Sequence, residues 1–208
     1  MNDLSLYNIY RPEIKTWDMF AYVSREPLGQ IIRWWSPGAN HISGALSLDE
    51  YCGEEDRRWT LEAGSKGVCL ELLSRVLEHY PGDVWWYPLD VDDDVRRIIG
   101  EEALNRVGYG YDYFGIIRNM FSRVSINAAR YFCSEYYWDP VRDAWFRYAC
   151  GHSKQDLLDH WHLEEKNMEF FEDDVAPRPS DVLLLPLYKK PVLLIESKPL
   201  DTTVVVQP

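Results

Sequence analysis

Residues 40–47 read NHISGALS, and residues 58–63 read RWTLEA. Between them lies an acidic loop holding Glu54, Glu55 and Asp56. Each stretch is short, mixes apolar with small or β-branched residues, and is bounded by turn-forming or charged residues, which predicts two strands joined by a loop. An antiparallel pairing of the two places His41 and Glu62 side by side on one face, because side chains on paired strands meet across the ladder.

Upstream of this pair, TWDMFAYVS (16–24) reads as another strand, and Pro27 opens a short helix, PLGQIIRWW, that Ser36-Pro37-Gly38 ends. Downstream, Gly67 to Leu70 resumes extended structure, and a short helix runs through His79. A Pro81-Gly82 turn precedes a strand over 83–89. Asp92 or Asp93 caps a helix to about Arg106, with acids at the end where the helix dipole favours them. Helical spacing over 111–123 and a helix from about Cys133 to Asp139-Pro140 follow, the proline marking its end. Ser153 caps a polar helix through Lys166 or beyond, and the tail runs VLLLPL and PVLLIE are expected as edge strands. Helices mixed with consecutive strands make an α+β fold with an antiparallel sheet.

The chain has 208 residues, 46% hydrophobic and 27% charged, enough for one packed domain. That domain is expected over 1–200, with a helical elaboration at 144–176 and a tail from 201. Nine Trp and fourteen Tyr supply core area and rings for flat or apolar ligands. The formal charge of −12 argues against nucleic acid and anionic membrane surfaces as partners, since both need a basic footprint. Cys52, Cys69, Cys133 and Cys150 form no CxxC pair, so reduced thiols are the default. The start of the chain has no basic-then-apolar leader and no apolar run approaches a membrane span, so a cytoplasmic location is expected.

A thiol hydrolase requires a cysteine activated at the positive end of a helix, an imidazole to take its proton, and an acceptor to orient that imidazole. Cys133, in ARYFCSEYYWDP, sits where the chain enters a helix. His41 and Glu62 occupy the two paired strands. Each residue alone also fits a bland role, as a buried small side chain, a strand end or a surface acid. Their order along the chain favours the joint reading.

That order resembles the circularly permuted NlpC-type papain-like hydrolases, especially the YiiX-like branch. IIRWWSPGANHISGAL (31–46) is similar to the family's helix, loop and histidine strand. RWTLEAGSKGV (58–68) is similar to its EA-then-GV segment, YGYDYFG (109–115) to its tyrosine-aspartate motif, and RPSD (178–181) to a short motif near its C-terminal end. YFCSE (131–135) resembles the nucleophile motif, which permutation places after the histidine. The resemblance implies a permuted papain-like fold, an antiparallel sheet or small barrel packed on helices, with Cys133 as nucleophile, His41 as base and Glu62 as orienter. It also implies Tyr111 as the hydroxyl beside the oxyanion, with Tyr109 and Tyr113 as alternatives. Trp35, Tyr109 and Tyr113 are the candidates for substrate contact. The implied substrate is a peptide or isopeptide amide, including cell-wall types. An acyl lipid cleaved or transferred by the same triad, and a non-catalytic protein retaining the fold, are the other readings. The segment 144–176 departs from the family pattern.

No cofactor or metal is expected. Asp90, Asp92, Asp94 and Glu101 fall at calcium-loop spacing, but Val95 stands where the loop needs glycine. Cys150, His152, His160 and His162 form a looser set, with His160 and His162 two apart on an expected helix and so pointing apart.

Overall fold

The computed structural model describes residues 1–24, 34, 37–48, 57–64, 66–111, 130–168, 171 and 177–197. Its sheet contains β1 (Met19–Ser24), β2 (His41–Ser47), β3 (Arg58–Gly64), β4 (Gly67–Leu72), β5 (Gly82–Tyr87) and β8 (Val192–Ile195). A separate two-residue pair is formed by β6 (Gly110–Tyr111) and β7 (Arg130–Tyr131). The helices are α1 (Ser5–Tyr10), α2 (Leu73–His79), α3 (Asp93–Leu104), α4 (Cys133–Ala149), α5 (Lys154–His160) and α6 (Pro179–Leu183).

The six-stranded sheet has the order β4-β3-β2-β1-β5-β8, and every neighbouring pair is antiparallel. The expected α+β class with an antiparallel sheet packed on helices is what forms. Period-2 alternation divides the apolar residues between two faces. Met19, Ala21, Ile42, Leu61 and Ala63 join Val95 and Ile99 of α3 and Tyr137, Val141 and Trp145 of α4 in one core. Phe20, Tyr22, Ala45, Val84 and Trp86 meet Tyr7 of α1 and Leu73 and Leu77 of α2 in the other. The β3–β4 hairpin closes at Gly67, whose φ of +89° is left-handed. A Cβ there would lie 2.4 Å from the Tyr109 carbonyl oxygen, so the position requires glycine twice over.

Four expectations are corrected. Residues 16–18 are not strand. Trp17 takes a left-handed φ of 65°, stacks on Tyr137 at 5.2 Å between ring centroids, and donates Nε1–H to the Tyr137 carbonyl at 3.2 Å. Asp18 then turns inward, where it accepts from Arg96 Nη1 at 2.7 Å and Trp86 Nε1 at 2.9 Å. Second, α4 does not stop at Pro140 but runs on to Ala149. The proline removes one N–H from the helix ladder, but Val141, Ala144, Trp145 and Tyr148 beyond it are all core residues. Their burial, together with Asp139 held by Arg106 Nε at 3.1 Å, outweighs the missing bond. Third, α5 ends at His160 rather than Lys166, with a non-glycine left-handed residue, His162, at φ 50°. Fourth, VLLLPL lies in the end of α6 and the turns after it, whereas VLLI of PVLLIE is the edge strand β8 on β5. Of the expected helix over 111–123, Tyr111 is instead strand in β6 and the rest lies outside the described residues, as do the expected helix from Pro27 apart from the helical Trp34, the loop acids 54–56 and the tail from 201.

Among the described residues, no helix is long and apolar enough to cross a membrane, and Cys69, Cys133 and Cys150 carry free thiols.

Candidate active site

His41 is the first residue of β2 and lies opposite Tyr22 of β1. Gly44 lies opposite Leu61 in β3. Extending that register brings Glu62 to the same face as His41, displaced along the strand by one side-chain repeat. The diagonal is short enough for contact: His41 Nε2 and Glu62 Oε2 are 2.7 Å apart. The two side chains are 22% and 17% exposed, so the pair is shielded but still open to one side.

Cys133 is the first residue of α4 and is buried. Its side chain is close enough to His41 to raise the imidazole pKa. With Nε2 engaged by Glu62, Nδ1 is the ring nitrogen left for the sulfur. Burial on its own lowers the His41 pKa, but hydrogen bonds to Cys133 and Glu62 and the negative charge of both more than offset it, and the imidazole is pushed up to about 10. Burial likewise works to raise the Glu62 carboxyl, yet the bond to His41 and the charges of His41 and Lys66 bring it below the ordinary value. The three residues thus form one charge-coupled row with the imidazole at its centre.

The row has a supporting layer. The Tyr22 ring lies 5.3 Å from the His41 ring. Its hydroxyl is 3.1 Å from Ser43 Oγ, which accepts from Thr60 Oγ1 at 2.6 Å. Burial and the Glu62 charge hold the Tyr22 phenol well above its ordinary range, so it stays neutral there. At the helix end, Glu135 accepts from the Phe132 N–H at 3.3 Å, the reciprocal half of a capping box. Ser134 donates to the Pro177 carbonyl at 2.6 Å, which fastens the first turn of α4 to the chain just before RPSD. Within RPSD, the Arg178 guanidinium makes two bonds to the Asp181 carboxylate, each 3.1 Å, and the Arg178 N–H makes a third at 3.0 Å. None of these supports was assigned from the sequence. A glutamate three residues after a helix entry was the available signal for Glu135.

The other sequence candidates divide. Tyr111 lies in β6, in parallel register with Tyr131, so its backbone runs beside the residues that lead into Cys133. Its side chain, and the whole of Trp35 and Tyr113, lie outside the described residues. Tyr109 is 41% exposed, and its carbonyl accepts from Val68 N at 2.8 Å. Cys69 sits opposite Glu62 in β4. Burial, then the Glu62 and Glu71 charges, push its thiol up, which keeps it a weak nucleophile. Among the described residues, the fold also gathers two sets of metal-competent donors, Glu62 with Cys69 and Glu71, and Asp92 with Asp94 and His160.

No family model matches the chain, and no curated protein matches its sequence. Among solved structures, the fold is similar to the crystal structure of the metalloprotein yiiX from Escherichia coli O157:H7. That similarity has a TM-score of 0.57 at 16% sequence identity, and covers 86% of this chain and 96% of that one.

Proposed function

We propose that the chain is a cysteine hydrolase of papain-like chemistry, with Cys133 as nucleophile, His41 as acid–base and Glu62 as orienter, acting on an amide bond. The observation that carries this is the doubly engaged imidazole, bonded to Glu62 through Nε2 and electrostatically coupled to the Cys133 side chain. A surface histidine needs neither partner; a catalytic one needs both. The YiiX-like fold agrees with the family that the motifs resemble.

In the proposed reaction His41 takes the Cys133 thiol proton, the sulfur forms a bond to the carbonyl carbon, and the carbonyl π pair moves onto oxygen. The Cys133 backbone N–H at the start of α4 and the Tyr111 hydroxyl are the proposed donors to that oxyanion. Collapse of the tetrahedral intermediate breaks the C–N bond as His41 protonates the leaving nitrogen. Water, deprotonated by His41, then attacks the thioester, and the C–S bond breaks to return the thiol and release a carboxylic acid. Glu62 stays ionised throughout and keeps the ring aimed at the sulfur. A non-peptide acyl donor would pass through the same steps with oxygen in place of nitrogen.

The test is mass spectrometry of the full chain quenched during turnover of acyl amide and acyl ester substrates. A single acyl adduct on Cys133, absent from Cys133→Ala and from His41→Ala, is expected with the amide. Adduct formation with acyl esters alone would replace the amide reading by the acyl-lipid one. Turnover retained by Cys133→Ala, or a Cys133 alkylated no faster than the exposed Cys150, would remove the hydrolase reading altogether.

A further inference from the structure

The helical elaboration is joined to the body of the fold at a cluster of histidines and aspartates that the thiol site does not use. Asp92 caps α3, Asp94 lies in its first turn, and His160 ends α5. The Asp92 N–H donates to the His160 carbonyl at 3.1 Å, which fixes the two helix ends against each other. The donor atoms of Asp92, Asp94 and His160 all fall within 4.8 Å of one another. His160 Nδ1 lies 2.7 Å from Asp92 Oδ2 and 3.9 Å from Asp94 Oδ1. That nitrogen is shielded from solvent and yet makes no hydrogen bond. It approaches two carboxylates without aligning with either.

His162 supplies the second observation. On a continued helix it would point away from His160. The left-handed backbone at φ 50° instead turns it back to the same acids, a conformation that non-glycine residues adopt only when the surroundings require it. Its Nε2 lies 3.2 Å from Asp92 Oδ1, and its Nδ1 lies 3.1 Å from Asp90 Oδ1. Lys189 Nζ in turn holds Asp90 Oδ1 at 3.2 Å. Asp92 therefore presents one oxygen to His160 while the other is fixed from behind. This is how a metal-ligating carboxylate is oriented by its outer partners.

We propose that Asp92, Asp94 and His160 bind one divalent cation of the zinc class, with His162 as the positioning residue for Asp92, and that the ion fastens α5 to the start of α3. The donor set fits that class. One imidazole nitrogen and two carboxylate oxygens suit zinc, cobalt or manganese, whereas calcium requires six to eight oxygens. Ligand bonds of about 2.1 Å place donors at most about 4.2 Å apart. The further closure falls to side chains that are 39%, 43% and 48% exposed for His160, Asp92 and Asp94, and so free to rotate. Three carboxylates share this cluster with one lysine and two imidazoles, and a divalent cation would be attracted to them. None of these residues belongs to the Cys133 site, so the proposal stands apart from the hydrolase reading.

The experiment titrates the full chain, stripped of metal by a chelator, with Co²⁺ as the spectroscopic substitute for Zn²⁺. One equivalent is expected to bind with ligand-field bands but no sulfur-to-cobalt charge-transfer band, and Zn²⁺ is expected to displace it. Zn²⁺ should also raise the melting temperature of the stripped chain. Both effects should disappear in His160→Gln and in Asp94→Asn, each checked for native circular dichroism. His162→Ala should weaken binding about 10- to 100-fold, as loss of an outer partner does. Cys133→Ala should bind as the parent does. Absence of saturable binding, binding unchanged in both His160→Gln and Asp94→Asn, or a thiolate charge-transfer band would each overturn the site. The last would move the ion to Glu62, Cys69 and Glu71 or to Cys133.

Discussion

Glu62→Gln is the sharpest perturbation of the proposed site, because it keeps shape and removes charge. The carboxylate meets His41 Nε2 at 2.7 Å in a shielded setting. A hydrogen bond to a charged group is worth about 1.5–3 kcal/mol, and about 1.4 kcal/mol corresponds to one pKa unit. Losing it should bring His41 down from about 10 by roughly one to two units. The sign for stability follows. A raised histidine pKa contributes stability that is complete below its ordinary 6.5 and is lost as pH climbs through about 10. The lowered Glu62 pKa contributes above its ordinary 4.5 and is lost as pH falls through the folded-state value. The parent should therefore exceed Glu62→Gln in stability by about 1.5–3 kcal/mol near neutral pH, with the gap closing above about pH 10 and in acid. Proton NMR of the imidazole Cε1–H, assigned among the five histidines with His41→Asn, reads the titration directly. Denaturant melts at three pH values read the stability. A parent His41 that titrates near 6.5, or one whose midpoint Glu62→Gln leaves in place, would refute the coupled row.

The remaining predictions concern the same machinery and its supports. Turnover should fall on its basic side only as pH rises through about 10, where His41 loses the proton it delivers, and a pH profile of kcat/KM checks this. Ser134→Ala removes the 2.6 Å bond to the Pro177 carbonyl and should cost about 0.5–1.5 kcal/mol in a urea melt. Asp139→Ala removes the carboxylate 3.1 Å from the buried Arg106, which keeps Glu102 and Asp143, and should cost about 1.5–3 kcal/mol, the worth of one hydrogen bond to a charged group.

What the sequence revealed and what it hid have one physical division. The pairing of β2 with β3, and with it the His41–Glu62 contact, was legible because alternation and a short loop are local signals. Cys133 at a helix entry was legible for the same reason. Pro140 was misleading because its local penalty is set against burial of Val141, Ala144, Trp145 and Tyr148, contacts made with distant parts of the chain. Trp17 and His162 were illegible because each adopts a left-handed backbone that only its tertiary partners justify. The approach of His162 to Asp90 and Asp92 was hidden by that same turn. Helical spacing carried past residue 160 sends His162 to the wrong side.

The arrangement also says which parts of the chain set the precision of the thiol. His41 and Glu62 are fixed by sheet register, which cannot slip by one residue without exchanging the two cores. Cys133 has no such guarantee, since it stands at a helix end, where backbone groups lack intrahelical partners and the chain frays most easily. Among the described residues, three contacts fix that end: Glu135 on the Phe132 N–H, Ser134 on the Pro177 carbonyl, and β7 paired to β6 immediately before it. Two of the three bring in residues far from Cys133 in the chain, Gly110–Tyr111 on one side and Pro177 on the other. The FCSE and RPSD segments therefore belong together physically. One carries the sulfur and its cap, and the other, folded on its own Arg178–Asp181 pair, directly follows Pro177, whose carbonyl holds the first turn in place.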